Sequence, residues 1–316
     1  MNQTRETKKS PLVVRLVDPT TARGLEAMTF PSYRPLLLQG TSERVCIMGG
    51  YIEETLVTLL IAMRVANGLW EILSVFTCKA HRAQGYATQV VAFFCEHLQS
   101  LGEKHCTLKY MTHKENTPAL ERLLDAVGFE PAEPRQFVIR GELSRMQKAP
   151  WTRLFRDGLP EGFSIKYWRD LSSKQREALQ SAITHETWVP KDLNPFDFEP
   201  DYAPALSLAL MFEGEVVGWS ITHLLDAQTL RYTNLYIKAS LHLRGQFIAL
   251  VNHTMALMAH EGLRYGSWAV CVAYEKTITF YKKHLIPYCV WSGYSVSRSI
   301  ALERFQTCET KKEKAS

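Results

Sequence analysis

The alternation of apolar and polar segments predicts an α+β protein in which one arrangement of elements occurs twice. Three observations carry this. At 316 residues the chain is long enough for two domains of roughly 100–200 residues each. Its two halves give the same series, β-α-β-β-β-α-β-α-β, without strong residue identity between them. Between the halves, residues 144–161 form a mixed stretch with Pro150, Gly158, Pro160 and alternating charges, as a domain connection does. The expected division is a first domain at residues 1–145, a linker at 146–160, a second domain at 161–305 and a flexible tail at 306–316.

In the first half, 12–16 is a short apolar strand and a helical stretch follows around 20–28. Residues 45–48 and 55–65 read as a hairpin that turns through Gly49-Gly50. A strand at 70–77 leads through a polar loop into a helix from Gly85 to about Leu101. A strand at 105–111, a short helix at 118–126 stopped by Gly128, and a last strand at 136–143 complete the half. The second half runs in parallel. It has a strand at 163–168, a helix at 172–183 with Ser172 at its N-cap, and a hairpin of 206–212 and 216–224 turning through Glu213-Gly214-Glu215. A strand at 230–238, a helix at 246–260, a strand at 265–272, a helix at 275–284 and closing strands within 288–301 follow.

Composition narrows the function classes. With 46% hydrophobic and 22% charged residues, the chain is neither disordered, collagen-like nor a coiled coil. The longest mostly apolar runs, 56–63 and 205–212, fall far short of the ~20 residues of a membrane span, and the first ten residues hold no apolar signal segment. A soluble, cytoplasmic protein is expected. Residues 1–10 carry a net +2 and residues 303–316 a net +1, which leaves +2 of the total +5 for the body. That is no basic stripe for nucleic acid. The seven cysteines are odd in number, form no Cys-x-x-Cys pair and sit mostly in apolar stretches, as small hydrophobes do. His105, His113, His223 and His253 show no metal-ligand spacing, so no metal is expected.

The richest stretch is 70–94. An apolar strand feeds a polar loop, and a helix with an apolar stripe (Ala87, Val90, Val91, Phe94, Leu98) begins at its end. A helix start presents unpaired N–H groups and a partial positive charge, which suit a phosphate. Gly85 removes the Cβ that would hold a ligand off the backbone, Ala87 keeps the next turn slim, and Arg82 adds a cation. A glycine after a strand also serves as a packing turn.

Arg82-Ala83-Gln84-Gly85-Tyr86-Ala87 resembles the Arg/Gln-x-x-Gly-x-Gly/Ala signature of the GNAT (Gcn5-related N-acyltransferase) superfamily. Asn116-Thr-Pro-Ala119 followed by Gly128-Phe129 is similar to the family's Asn-x-x-Ala and Gly-Phe segment. The resemblance implies two tandem GNAT folds, each a twisted, mixed, mostly antiparallel sheet flanked by helices, with central strands splayed into a cleft. It implies acetyl-CoA or a longer acyl-CoA as co-substrate, with Phe76, Thr77, Arg82, Ala83, Gln84, Gly85, Tyr86, Ala87 and Asn116 as its contacts. Asn116 is equally placed to be a helix N-cap.

Glu71, fourteen residues before Gly85, stands where the histone acetyltransferase-like members carry a general base. An amine with reference pKa near ~10.4 must lose a proton before attacking a thioester, and a carboxylate in an apolar strand can take it. The alternative for Glu71 is a strand-end charge facing solvent. The tyrosine that many members place before Gly-Phe is absent, since Leu123 and Leu124 occupy that region.

The second half resembles the family in order but not in its loop. His242-Leu243-Arg244-Gly245-Gln246-Phe247 keeps the glycine, replaces the Arg/Gln by His and puts bulky Phe247 at the small position. Arg231, not a carboxylate, lies fourteen residues before Gly245. Tyr281 matches the family's tyrosine acid and is a catalytic candidate, with core packing as its other reading. Trp188, Trp219, Trp268 and Trp291 suit either an acyl pocket or the core. The acidic segment 189–204, with Asp192, Asp197, Glu199 and Asp201, suits either a cationic acceptor or a plain surface loop.

The expected function is N-acyl transfer to a primary amine of a small molecule, peptide or protein, with the second domain shaping the acceptor site. The rivals are a non-catalytic acyl-CoA sensor or scaffold, and chemistry in the second domain through Tyr281, such as fatty acylation of a ribosomal peptide side chain. No nucleic acid and no membrane span are expected among the partners, and oligomerisation is left open.

Overall fold

The computed structural model describes residues 11–305 apart from 19, 21–23, 155–157 and 186–187. It divides into two compact units. Unit 1 comprises residues up to Arg135 together with those from Ser295 onward, and unit 2 runs from Gln136 to Tyr294. The stretch expected as a linker, 146–160, lies within unit 2. It begins at the end of α4 (Leu143–Met146) and contains a 3-10 turn (Pro150–Arg153), both in unit 2.

Unit 1 holds β1 (Val13–Leu16), α1 (Arg34–Gln39), β2 (Val45–Ile52), β3 (Thr55–Ala66), β4 (Leu69–Thr77), α2 (Tyr86–Ser100), β5 (His105–Met111) and α3 (Thr117–Val127). Neighbouring strands in β1-β2-β3-β4 pair antiparallel, and β4-β5 is parallel. The far edge is closed by the end of β12 (Cys289–Ala301), whose residues 295–301 pair antiparallel with β5. Unit 2 repeats the arrangement with β7 (Phe163–Tyr167), α5 (Ser173–His185), β8 (Leu208–Phe212), β9 (Glu215–Asp226), β10 (Thr229–Ile237), α6 (Gln246–His260), β11 (Tyr265–Cys271) and α7 (Glu275–His284). Here β10-β11 is the parallel pair, and β6 (Glu133–Glu142) closes the edge against β11 through residues 136–142. Each half of the sequence thus lends its last strand to the other unit's sheet.

In unit 1 the side chains of Trp70, Ile72, Cys106 and Leu108 interdigitate with Val90, Val91, Phe94 and Leu98 of α2 and Leu124 of α3. The opposite face packs Ile47, Leu59 and Ile61 against Leu37 of α1. In unit 2 one face lies under α6 and α7, and the other packs Trp219 and Ile221 against Trp168, Leu179 and Val189.

Two local expectations fail for physical reasons. The turn of the first hairpin is not Gly49-Gly50, for both glycines lie inside β2. A Cβ at Gly49 would fall 2.6 Å from Leu56 Cδ1, and one at Gly50 would fall 2.9 Å from Val90 Cγ2. These glycines serve close approach. The reversal falls on Glu53 (φ 47°) and Glu54 (φ 66°), a two-residue loop with both residues left-handed. The helical stretch expected around 20–28 is a 3-10 turn at Glu26–Met28 in its described part. The first α-helix comes later, opened by Pro35 in its first turn and stopped by left-handed Gly40. The Ser172 cap forms as expected. Its Oγ accepts from Gln175 N–H at 3.3 Å while Gln175 Oε1 accepts from Ser172 N–H at 3.2 Å, a reciprocal capping box.

Candidate active site

The parallel pair of unit 1 separates partway along. Strands β4 and β5 are in register from Leu69–His105 to Ile72–Leu108, and both run on beyond that point without pairing. A bulge initiates the divergence. Across β3, Ile61 faces Ser74 and Ala62 faces Ile72, so Leu73 is an extra residue on β4. A bulge bends its strand and increases the twist. Residues 73–77 consequently offer an unpaired inner backbone edge to a cleft, as the resemblance implied.

The loop at the end of β4 is tightly organised. Arg82 Nε donates to the Thr77 carbonyl at 3.1 Å, with its guanidinium 5.7 Å from the Phe76 ring centre. The Gln84 amide reaches the Ala80 carbonyl at 3.4 Å and accepts from the Tyr86 hydroxyl at 3.1 Å. Ala83 (φ 59°) and Gly85 (φ 78°) are both left-handed. Gly85 is the N-cap of α2, no side chain caps the helix, and a Cβ placed on Gly85 would meet nothing within 4 Å. The first helical bond runs from Gln89 N–H to the Gly85 carbonyl at 3.1 Å. The N–H groups of Tyr86, Ala87 and Thr88 precede it without helical partners. These residues fit a phosphate group.

Glu71 sits on β4 at the foot of the cleft, opposite Thr107 and on the face away from α2. Its side chain is 14% exposed and its Oε2 accepts from Lys109 Nζ at 2.6 Å. Lys109 is a partner that sequence reasoning missed. Its spacing of two residues from Thr107 on β5 becomes informative only once the β4-β5 register is known.

Asn116 occupies the N-cap of α3 but caps nothing with its side chain. Thr117, the first residue of α3, ties the preceding turn to β5 instead, its hydroxyl accepting from Lys114 N–H at 3.1 Å and donating to the Met111 carbonyl at 2.9 Å.

Unit 2 has the same fork, with β10 and β11 in register only from Thr229–Tyr265 to Tyr232–Trp268 and a bulge at Thr233. Its loop differs. Residues Ala239–Arg244 form a 3-10 helix, and Ile248 N–H bonds the carbonyl of left-handed Gly245 at 2.8 Å, using a donor that α2 leaves open. Phe247 is half-buried, its ring edge-on to Phe280 at 6.0 Å. Tyr281 is 5% exposed inside the α6–α7 core, where burial pushes its phenol pKa well up. Tyr281 and Glu71 belong to different units.

Three of the four candidate tryptophans are packed in unit 2. Trp219 is fully buried, Trp268 stacks on Tyr232 at 4.5 Å, and Trp188 stacks on Tyr236 at 6.0 Å. Two carboxylates of the acidic segment are engaged within unit 2. Asp192 accepts from the Tyr274 hydroxyl at 2.7 Å, and Glu199 accepts from Trp168 Nε1 at 2.6 Å and pairs with Arg176. Among the described residues, no three His, Cys, Asp or Glu side chains are grouped to hold a metal, and no helix is long and apolar enough to cross a membrane.

Comparison with solved structures settles the architecture. A tandem GNAT protein from the clavulanic acid biosynthesis pathway superposes with a TM-score of 0.55 at 12% identity, covering 92% of this chain and 99% of its own. This chain has the tandem GNAT fold. A GCN5-related N-acetyltransferase from Sphaerobacter thermophilus gives 0.56 at 13% identity, over 93% of this chain and 97% of its own. The GCN5-related glucosamine N-acetyltransferase region of a fungal multi-domain β-N-acetylglucosaminidase gives 0.57 at 12% identity, over 92% of this chain and 38% of that one. No family model and no curated protein matches the sequence. The GNAT resemblance of residues 82–87 and the two forks therefore agree on the fold.

Proposed function

We propose that the chain is an N-acyltransferase that uses acetyl-CoA or a longer acyl-CoA in the cleft of unit 1. The observation that carries this reading is the pairing of an open, glycine-capped helix start with a splayed strand edge that bears a carboxylate at its foot. The pyrophosphate is held by the N–H groups of Tyr86, Ala87 and Thr88, with the α2 dipole and Arg82 adding positive charge. Phe76 and Thr77 lie at the end of the strand edge. The amides of the pantetheine arm pair with residues 73–77 as an added strand does. The acceptor is a primary amine. Its nitrogen attacks the thioester carbonyl, the C–S bond breaks, and the sulfur leaves as thiolate. A thiol of pKa near ~8.5 leaves without a dedicated acid. Glu71 takes the proton from the amine, directly or through a water, in place of its bond to Lys109. Tyr281 serves the core of unit 2 in this reading. Unit 2 is assigned no acyl-CoA, because its fork carries Arg231 in place of Glu71 and its helix start is closed by the Ile248 bond.

The test is release of free CoA thiol with an amine acceptor for wild type and Glu71→Gln. The variant keeps the shape but accepts no proton, so transfer at pH 7 falls by about 10²–10³-fold. The deficit narrows toward pH 9, where more of the acceptor amine is already neutral. Turnover near wild type at pH 7 would make Glu71 a structural partner of Lys109 only.

A further inference from the structure

The foot of the second fork carries a charge that no group neutralises among the described residues. Register places Arg140 (β6), Ser267 (β11), Arg231 (β10) and His223 (β9) in one row on one face of the unit 2 sheet. It is the face opposite α6, because Leu230, Tyr232 and Trp268 point the other way into the core. The matching row in unit 1 reads Ser299, Thr107, Glu71 and Met63, and there Lys109 balances the charge of Glu71. In unit 2 the row holds two cations and no carboxylate.

The members of the row are not equally available. His223 is committed through both nitrogens, Nδ1 to the Thr233 hydroxyl at 2.8 Å and Nε2 to the Pro200 carbonyl at 3.0 Å. Since a carbonyl only accepts, Nε2 carries the proton and Nδ1 is free to accept from Thr233. Ser267 donates its hydroxyl to the Ile139 carbonyl at 3.3 Å. Arg140 reaches across β11 to the Thr229 hydroxyl at 2.9 Å and lies over the Tyr265 ring at 4.1 Å, with Asp226 near enough to feel its charge. Arg231 has none of this. It is half-buried, makes no hydrogen bond, ion pair or ring contact among the described residues, and burial alone pulls its pKa down. Half-burying a cation without a partner costs stability, and such a cost is retained most readily where a ligand offsets it.

We propose that Arg231 is the binding fork of an oxyanion site in unit 2, with Arg140 beside it, and that its ligand is a small molecule bearing a monocarboxylate. One uncommitted guanidinium offers a planar pair of donors and a single positive charge, which match a carboxylate in shape and charge. A phosphate dianion calls for a second free cation, and Arg140 is already engaged by the Thr229 hydroxyl and the Tyr265 ring. This proposal is independent of the acyl-CoA reading, which concerns unit 1.

The test is a titration of the full chain with sodium propionate, and in a parallel arm with sodium phosphate, each against sodium chloride at matched ionic strength. It is followed through arginine Nε–H resonances. Propionate is expected to shift one such resonance saturably, and the same resonance should be missing from Arg231→Lys and Arg231→Met. Arg231→Lys keeps the charge but loses the fork, so propionate affinity falls at least tenfold. Without ligand, Arg231→Met melts no lower than wild type, because it removes an unpaired charge and keeps an apolar stem. Absence of a saturable shift, its persistence in Arg231→Met, or a lower melting temperature of that variant would overturn the site. Tighter binding of phosphate than of propionate would overturn the carboxylate assignment.

Discussion

At the scale of single residues, the cofactor reading depends most on Gly85. Its left-handed φ of 78° is one that L side chains rarely adopt, and the space over its α-carbon is open. Gly85→Asp adds bulk and a negative charge at the start of α2, where the proposed pyrophosphate would lie. CoA affinity measured by calorimetry on the folded variant is expected to fall more than a hundredfold, and unchanged affinity would remove the loop from the site. The open start of α2 was legible in the sequence, because a glycine followed by small neighbours marks such a start. Lys109 was not legible. It lies 38 residues from Glu71 and reaches it only through the parallel register of β4 and β5. Arg231 was visible as a departure from the expected carboxylate, but its lack of a partner is a property of the folded row.

At the scale of elements, the sequence misplaces what depends on tertiary contact. Gly49-Gly50 carries the composition of a turn, yet the approach of Leu56 and Val90 decides its place inside β2. The reversal then falls on two glutamates with no turn signature. The strand that closes unit 1 was equally hidden, since it comes from the far end of the chain. Arg298 fastens that strand. It is 6% exposed and donates to the carbonyls of Glu130 at 2.6 Å and Phe129 at 2.7 Å while pairing with Asp125 at 2.7 Å. Removing the guanidinium leaves those carbonyls without their donor, a cost of about 2–4 kcal/mol. Urea denaturation of Arg298→Met is expected to show that loss, and an unchanged midpoint would mean that the strand is held by Val296 and Ile300 packing alone.

At the scale of the whole molecule, the repeat of element order predicts two units of one kind, and both are present with a fork in each. The partition between them was not readable, because an element series is silent about which sheet its last strand joins. The two forks are alike in backbone and opposite in charge, Glu71 against Arg231. On that difference rests the proposal that unit 1 alone holds acyl-CoA. Calorimetric titration of the full chain with CoA tests this most directly. One equivalent per chain, lost in Gly85→Asp and kept in Gly245→Asp, is expected. Two equivalents, or binding lost in Gly245→Asp and kept in Gly85→Asp, would contradict it.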